Sequence, residues 1–268
     1  MPSNRYFLPM AAATALALTL ACLAQPARAG APDHKQEVID LFKSFETGEP
    51  GPLRYINADN YIQHNLSNAD GLAGLKALLA ILPKGRTKVH SVRVFQDGDF
   101  VFVHNQLDVF GPKITFDILR YENGKIVEHW DNIQTTPAQP NANGHGMVDG
   151  PTAATDIADT VANKALIRAY SDDLVHKRRE RLKTYIDGAN YIEHKPSIPD
   201  GGAVEYTKVA MVLGEGNFVL AAGEGDVAGK PAGLFDLYRI DGGKIVEHWG
   251  NVEAIPPRAA WKNPNGKF

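Results

Sequence analysis

Thiol chemistry is nearly absent from this sequence: one cysteine, Cys22, stands in 268 residues. It lies in an N-terminal segment with the marks of a removable leader, so a mature chain starting after Ala29 has no cysteine at all. Disulfides, a thiolate nucleophile and cysteine-ligated zinc are excluded with it. An excess of basic charge is missing too. Lys and Arg number 28 against 31 Asp and Glu, a formal charge of −3, and loss of Arg5 and Arg28 with the leader deepens it by two. That balance argues against a nucleic-acid partner. Beyond the leader no run is apolar enough to span a bilayer, so no membrane association is expected after cleavage. What remains, 44% hydrophobic and 22% charged, is the composition of a globular protein with a packed core.

The leader itself has three parts: Arg5, an Ala- and Leu-rich run from Phe7 to Leu23, and the small-x-small ending Ala27-Arg28-Ala29. This pattern predicts a signal peptide over residues 1–29 and a periplasmic or secreted protein. The apolar run is short and Ala-rich for a membrane anchor. A lipid-anchored Cys22 is the other alternative, but Thr19-Leu20-Ala21 before it fits a lipobox poorly.

The mature chain repeats itself. GKIVEHWDN at 124–132 returns as GKIVEHWGN at 243–251, and NYIQH at 60–64 returns as NYIEH at 190–194. Around the first pair, FDILRYENGKIVEHW at 116–130 matches FDLYRIDGGKIVEHW at 235–249. Order and spacing agree, so the sequence reads as a tandem duplication of a domain-sized unit. The expected layout is domain 1 over 30–136, a linker over 137–152, a degenerate domain 2 over 153–258 and a tail over 259–268. The stretch between the copies, rich in Pro, Gly and Asn, reads as a flexible linker.

Val38, Leu41, Phe42 and Phe45 stand at helical spacing, and DGLAGLKALLAILPKG puts Leu72, Leu75, Leu79 and Leu82 on one helical face. The second copy has only DGGAVEYTK at that place, too short for such a helix. VHSVRVF and FVFVHNQLDVF flank Asp97-Gly98, and ITFDILRYE and KIVEHWDNIQ flank Asn123-Gly124; both dipeptides signal hairpins. Helices followed by an antiparallel meander, once per copy, predict an α+β fold.

With Y-I-x-H ahead of F-D-x-x-R and G-K-I-V-E-H-W-D at the last hairpin, each copy resembles the SnoaL-like branch of the nuclear transport factor 2-like (NTF2-like) superfamily. The resemblance implies two tandem NTF2-like cone domains, each with helices packed on a curved antiparallel sheet around a small-molecule pocket. Polyketide cyclases doing aldol condensation, isomerases, dehydratases, epoxide hydrolases and non-enzymatic binders share that fold, so fold does not choose among reactions. Single-copy relatives commonly pair through their sheets, which implies an intrachain pseudo-dimer.

Strand alternation puts Val127, His129, Asp131 and Ile133 on one face and Ile126, Glu128, Trp130 and Asn132 on the other. An imidazole beside a carboxylate in an apolar cone is a proton-transfer pair. The resemblance casts Asp131 as the acid/base, with His129, His64 and Tyr61 around the enolate oxygen. His104, Asp117, Trp130, His194 and His248 complete the candidate binding residues. The expected ligand is a small hydrophobic or carbonyl-containing molecule, handled by lyase or isomerase chemistry or bound without turnover. No cofactor is implied, and no metal, because no local ligand spacing gathers the histidines. GEGDVAGKP at 223–231 lacks the spacing and the Ser/Thr of a phosphate loop. The basic run HKRRERLK at 176–183 reads as the solvated face of a helix.

The second copy keeps His248 and Trp249 but has Gly250 where the first has Asp131. GKIVEHW is thereby expected to serve the fold, and Asp131 to be what one domain alone uses.

Overall fold

The computed structural model describes residues 32–196 and 204–268. The leader and Cys22 lie outside them. No helix among the described residues is long and apolar enough to cross a membrane.

The hairpin dipeptides act where their chemistry allows. Asn123 and Gly124 have φ of 50° and 73°, both left-handed, which matches the twist of the strands they join. They close β4 (Pro112–Glu122) on β5 (Lys125–Thr135), and the Asp97-Gly98 turn closes β2 (Lys88–Asp97) on β3 (Phe100–Asp108). A two-residue strand, β1 (Ile62–Gln63), adds in parallel to the free edge of β5, with Gln63 opposite His129. The sheet order is β1-β5-β4-β3-β2. Helix α1 (Lys35–Thr47) ends at Gly48, whose N–H reaches the Ser44 carbonyl, and α2 (Gly71–Ile81) follows β1.

The second half repeats this order. Its sheet is β6 (Ile192–Glu193), β10 (Lys244–Ala254), β9 (Lys230–Asp241), β8 (Phe218–Val227) and β7 (Val204–Glu215), with helix α3 (Thr160–Val175) and a short α4 (Arg179–Leu182). The glycines of GEGDVAGKP fall in β8 and the turn to β9, where Ala228 and Gly229 take φ of 53° and 79°. The basic run is not one helical face. It is split between the end of α3 and α4, and pairs with Asp173 and Glu205. No helix occupies residues 194–196, and residues 197–203, the rest of the span where the first half has α2, lie outside the described ones.

Period-2 alternation divides each sheet between two cores. On one face Val101, Val103 and Leu119 pack under Val38, Leu41 and Phe42 of α1 and Leu75 of α2. Ile126 joins them instead of the Trp130 face where alternation put it, because the β4–β5 register shifts between Glu128 and Ile126. On the other, Phe95, Phe102, Phe116, Ile118 and Trp130 meet Leu213, Phe218, Leu220, Phe235, Leu237 and Trp249 of the second sheet. Ile167 of α3 then closes the far side over Val219, Ala221 and Tyr238. The layers run helices, sheet, sheet, helix. Each such fully buried aromatic or aliphatic side chain contributes about 1.5–3 kcal/mol of transfer free energy, so the sheet-to-sheet core is a main source of stability.

The contacts between the halves are exchanged in matching pairs, as at an isologous interface. Asn132 donates to the Asn251 side chain at 3.0 Å, and Asn251 donates back to the Asn132 carbonyl at 2.6 Å. Lys35 at the start of α1 bonds Glu215 at 2.8 Å, while Lys164 of α3 bonds Asp97. The last residue of the GKIVEHWDN motif therefore serves the sheet-to-sheet seam.

The stretch expected as a flexible linker has no helix or strand, yet it is tied down. Asp149, Val148 and Pro151 offer their carbonyls to Arg93, Gly146 offers its carbonyl to His194, and Met147 is buried. The tail is tied likewise, to the first half. Lys262 N–H reaches the Leu66 carbonyl at 2.8 Å, Asn263 donates to the Asn65 carbonyl at 2.7 Å, and Asn265 donates to the Gln63 carbonyl at 2.9 Å. Pro, Gly and Asn here shape straps whose carbonyls and amides find partners, which composition alone does not distinguish from a loose linker.

Candidate functional site

A cavity of about 340 Å³ lies between the first sheet and α1 and α2. Its walls are apolar: Leu41, Phe42, Phe45, Leu75, Leu78 and Leu119 among others. Its floor is polar, formed by Tyr61, Gln63, Asn65, Asp117, His129 and Asp131. Asp117 and Asp131 come together because they are directly opposed on β4 and β5, and Gln63 joins them through the parallel register of β1.

Hydrogen bonds fix the orientation of each floor residue. His129 Nδ1 faces Gln63 Oε1 at 3.0 Å and Nε2 faces Asp117 Oδ1 at 3.1 Å. With an acceptor on each side, both ring nitrogens carry hydrogen. Burial works against that charge, but the bond to Asp117 and the nearby Asp131 outweigh it and raise the His129 pKa. Asp117 Oδ2 accepts from Asn105 at 2.8 Å and from the Thr115 hydroxyl. Asp131 Oδ2 accepts from Asn65 Nδ2 at 2.7 Å. Asp131 Oδ1 is buried and has no partner.

That oxygen sets the chemistry. Burial pushes the Asp131 carboxyl above the usual carboxylate range, although His129 and Lys267 pull it down. Since Asn65 occupies Oδ2 as a donor, a proton on Asp131 resides on Oδ1, the oxygen without a partner. The Tyr61 phenol is raised far above its ordinary value by burial and by Asp131 and Asp117, so it stays a donor. At the rim Lys267, from the tail, bonds the Asp131 main-chain carbonyl at 2.7 Å and pairs with Glu253 of β10. Glu253 of the second half thus lines the cavity, and Lys267 of the tail holds it there.

Asp131→Asn is expected to leave the fold intact and to raise stability at neutral pH by up to about 1 kcal/mol. A carboxyl whose pKa is higher in the folded state binds its proton more tightly there. Wild-type stability therefore falls as pH rises from the ordinary carboxylate range through the raised value. The gain is complete above that window and vanishes below about pH 4. Thermal melts across this range check it; a variant less stable than wild type above the window would make Asp131 a structural residue.

Other candidates fall elsewhere. His64 was expected at the cavity, but it lies on the opposite side with Trp130, stacked on that ring at 4.8 Å. Its nitrogens face Glu128 Oε1 at 2.9 Å and the Gly266 carbonyl at 3.0 Å, and Glu128 also accepts from Arg120 at 2.8 Å. In a strand as short as β1 the side chains still alternate, so Gln63 takes the cavity and His64 the other face. His194 repeats this arrangement with Glu247, Arg239, the Gly146 carbonyl and Trp249. Trp130 and Trp249 belong to the sheet-to-sheet core. His104 lies on that same face, stacked on Phe116; burial and the Arg93 guanidinium hold its pKa well below the ordinary value. These placements correct the assignment of His64 to catalysis and of Trp130, His104 and His194 to ligand binding.

His248 does occupy the place equivalent to His129, between Glu193 Oε2 and Asp236 Oδ1, each at 2.9 Å. The second-half site is filled. Lys195 Nζ donates to Asp236 Oδ1 at 2.8 Å and the Tyr206 hydroxyl donates to Oδ2. Where Asp131 stands in the first half, a Cβ on Gly250 would lie 2.1 Å from Asp236 Oδ1. The second half has Glu193, Lys195 and Gly250 where the first has Gln63, Asn65 and Asp131. That three-position exchange between repeats was the available signal for Gln63 and Asn65, which the reading of the sequence missed.

Donor atoms of Asp117, His129 and Asp131 lie within 4.8 Å of one another, as do those of His145, Asp149 and His194. His129 offers N–H in both directions while charged, so the first set presents no free imidazole lone pair; in the second both His194 nitrogens are engaged.

No family model matches the sequence, and no curated protein matches it. Among solved structures, a loop-truncation variant of IdmH is 18% identical, covering 38% of this chain and 93% of its own, with a TM-score of 0.33. An NTF2-like protein from Cytophaga hutchinsonii is 11% identical over 38% of this chain and 90% of its own, with a TM-score of 0.33. An LEH-like epoxide hydrolase of M. tuberculosis is 16% identical over 37% of this chain and 81% of its own, with a TM-score of 0.33.

Proposed function

We propose that the first-half cavity carries out acid/base proton transfer on a small carbonyl compound, a lyase or isomerase reaction of the aldol or cyclase type. The observation that carries this reading is Asp131 Oδ1, buried and unpartnered while Asn65 holds Oδ2. Burial keeps this carboxyl more basic than one in water, which suits a general base. Oδ1 would take the proton α to the carbonyl. The C–H electron pair becomes the enolate double bond, and charge moves to the oxygen. The Tyr61 hydroxyl is the donor for that oxygen, and the His129 imidazolium, held between Gln63 and Asp117, supplies a fixed positive field. His129 thus acts through its charge, since both nitrogens are already bonded.

In this reading the two halves are duplicated SnoaL-like units packed as an intrachain pseudo-dimer. The second has given up its cavity to become a packing partner. The leader pattern supports an activity in the periplasm or outside the cell.

The test needs no knowledge of the natural substrate. Cyclohexanone in D2O exchanges its α-hydrogens, and proton NMR follows the loss of signal. Wild-type protein is expected to accelerate that exchange and Asp131→Asn to lower the acceleration by at least about a hundredfold, the scale of a general base. Tyr61→Phe should cost less, about tenfold. Equal exchange with wild type and Asp131→Asn would remove the catalytic role and leave a binding cavity.

A further inference from the structure

The two halves solve the same electrostatic problem differently. In the second, the carboxylates of Glu193 and Asp236 are matched by two cations, buried His248 and half-buried Lys195. In the first, Asp117 and Asp131 face one, His129. Lys267 does not supply the other: its ammonium is spent on Glu253 and on the Asp131 main-chain carbonyl. Lys113 lines the mouth but is bonded to the Thr135 hydroxyl in an exposed contact. The first site is short of one positive charge.

The shape of the deficit is also visible. Asp236 Oδ1 accepts two donors, His248 Nε2 at 2.9 Å and the primary ammonium of Lys195 at 2.8 Å. Asp117 Oδ1, its counterpart, accepts from His129 Nε2 at 3.1 Å. Beside it stands Asp131 Oδ1, buried and without a partner, on a residue that is 5% exposed. The chain's own second half therefore shows what group completes this arrangement: a primary ammonium on an aliphatic stem.

We infer that the first-half cavity takes a ligand with a primary ammonium head on a small apolar body. The head lies between Asp117 Oδ1 and Asp131 Oδ1, and the body lies along Leu41, Phe42, Phe45 and Leu75. An ammonium has three hydrogens to give, and two oxygens at the floor have capacity to accept them. In a buried site such charge-assisted bonds are stronger than neutral ones. The apolar walls exclude the water that would otherwise screen them. A carboxylate or phosphate ligand would meet uncompensated negative charge and is rejected. This inference rests on the reading of the cavity as the ligand site and narrows its substrate class to amine-bearing carbonyl compounds. The amine stays anchored at Asp117 Oδ1, and Asp131 Oδ1 exchanges its bond to the ammonium for the hydrogen of the adjacent carbon when it acts as the base.

The probes are n-hexylamine, 1-hexanol and hexanoate, titrated into the intact protein by calorimetry and by NMR at neutral pH. Hexylamine is expected to bind at least about tenfold tighter than hexanol, the effect of roughly 1.4 kcal/mol, and hexanoate not to bind. Asp131→Asn, expected to fold at least as well as wild type, should reduce the preference for amine over alcohol to below about twofold. Hexanol binding as tightly as hexylamine, or a preference that survives in Asp131→Asn, would overturn the inference. So would Mn2+ binding that depends on Asp131 while the amine and the alcohol bind alike, which would mark a metal site. Ketone exchange without amine preference would remove this inference and leave the acid/base reading standing. Amine preference without ketone exchange would do the reverse.

Discussion

Gly250→Asp, which writes the first-half motif into the second, is expected to cost about 3–5 kcal/mol of stability. The position has no room. A Cβ there would sit 2.1 Å from Asp236 Oδ1 and 3.1 Å from Lys195 Cδ, distances that force both side chains off their partners. The new carboxylate would also enter a balanced set. Burial alone would raise the Asp236 carboxyl, but Lys195 and His248 overcome it and hold it well below the usual range. His248, opposed by burial but favoured by Glu193 and Asp236, is raised to about 9. Asp236 contributes stability above its unfolded pKa of about 4, and His248 contributes fully below about 6.5. The balanced set thus supports the fold most between those values, and His248's share is lost as pH rises through 9. Gly250→Ala separates crowding from charge and should lose less than the Asp variant. The double change Lys195→Asn with Gly250→Asp recreates the first-half pair and should recover part of the loss, as coupled neighbours do. Urea unfolding of the four proteins measures this; a Gly250→Asp midpoint equal to wild type would refute the filled site.

The same comparison shows how far the sequence could be read. Hairpins at Asp97-Gly98 and Asn123-Gly124, and the helices over 35–47 and 71–81, were legible because turn chemistry and periodicity are local. Alternation along KIVEHWDNI put His129 and Asp131 on one face, and both line the cavity. It could not say where His64 points. That depends on the register of a two-residue parallel strand, Gln63 against His129, which has no local signature. Nor could composition separate a strap from a linker. The carbonyls of Gly146 and Gly266 receive His194 and His64 only once both ends of a long-range contact exist. What the sequence did contain, unread, was the correlated change of Gln63, Asn65 and Asp131 to Glu193, Lys195 and Gly250. Charges exchanged among three positions of a repeat point to one shared site.

Arg93→Ala is expected to cost about 3–5 kcal/mol as well, at a site outside the cavity. Nothing in VHSVRVF singles this residue out, yet it is 1% exposed. Its guanidinium lies over the Trp249 ring at 4.2 Å. It donates to the Pro151 carbonyl at 2.8 Å, to the Asp149 carbonyl at 2.6 Å and to His104 Nδ1 at 3.0 Å. Burial lowers its pKa to about 10 despite Glu247 and Asp149, so it remains charged at neutral pH and needs all of these partners. One side chain from the first sheet thus holds the strap at 148–151, a ring of the second sheet and a buried imidazole. Removing it leaves the Pro151 carbonyl and His104 Nδ1 without a donor, the Asp149 carbonyl with only the Trp249 Nε1 donor, and a void beside Trp249. Lys cannot replace it, because a point ammonium lacks the planar fork that reaches several acceptors and stacks on an indole. Arg93→Lys should therefore recover less than half of the loss. Because the strap is released as well, limited proteolysis of the Ala variant should cut within 136–152 under conditions where wild type resists. Chemical unfolding within about 0.5 kcal/mol of wild type, with no new cleavage there, would show that the two sheets hold together without this side chain.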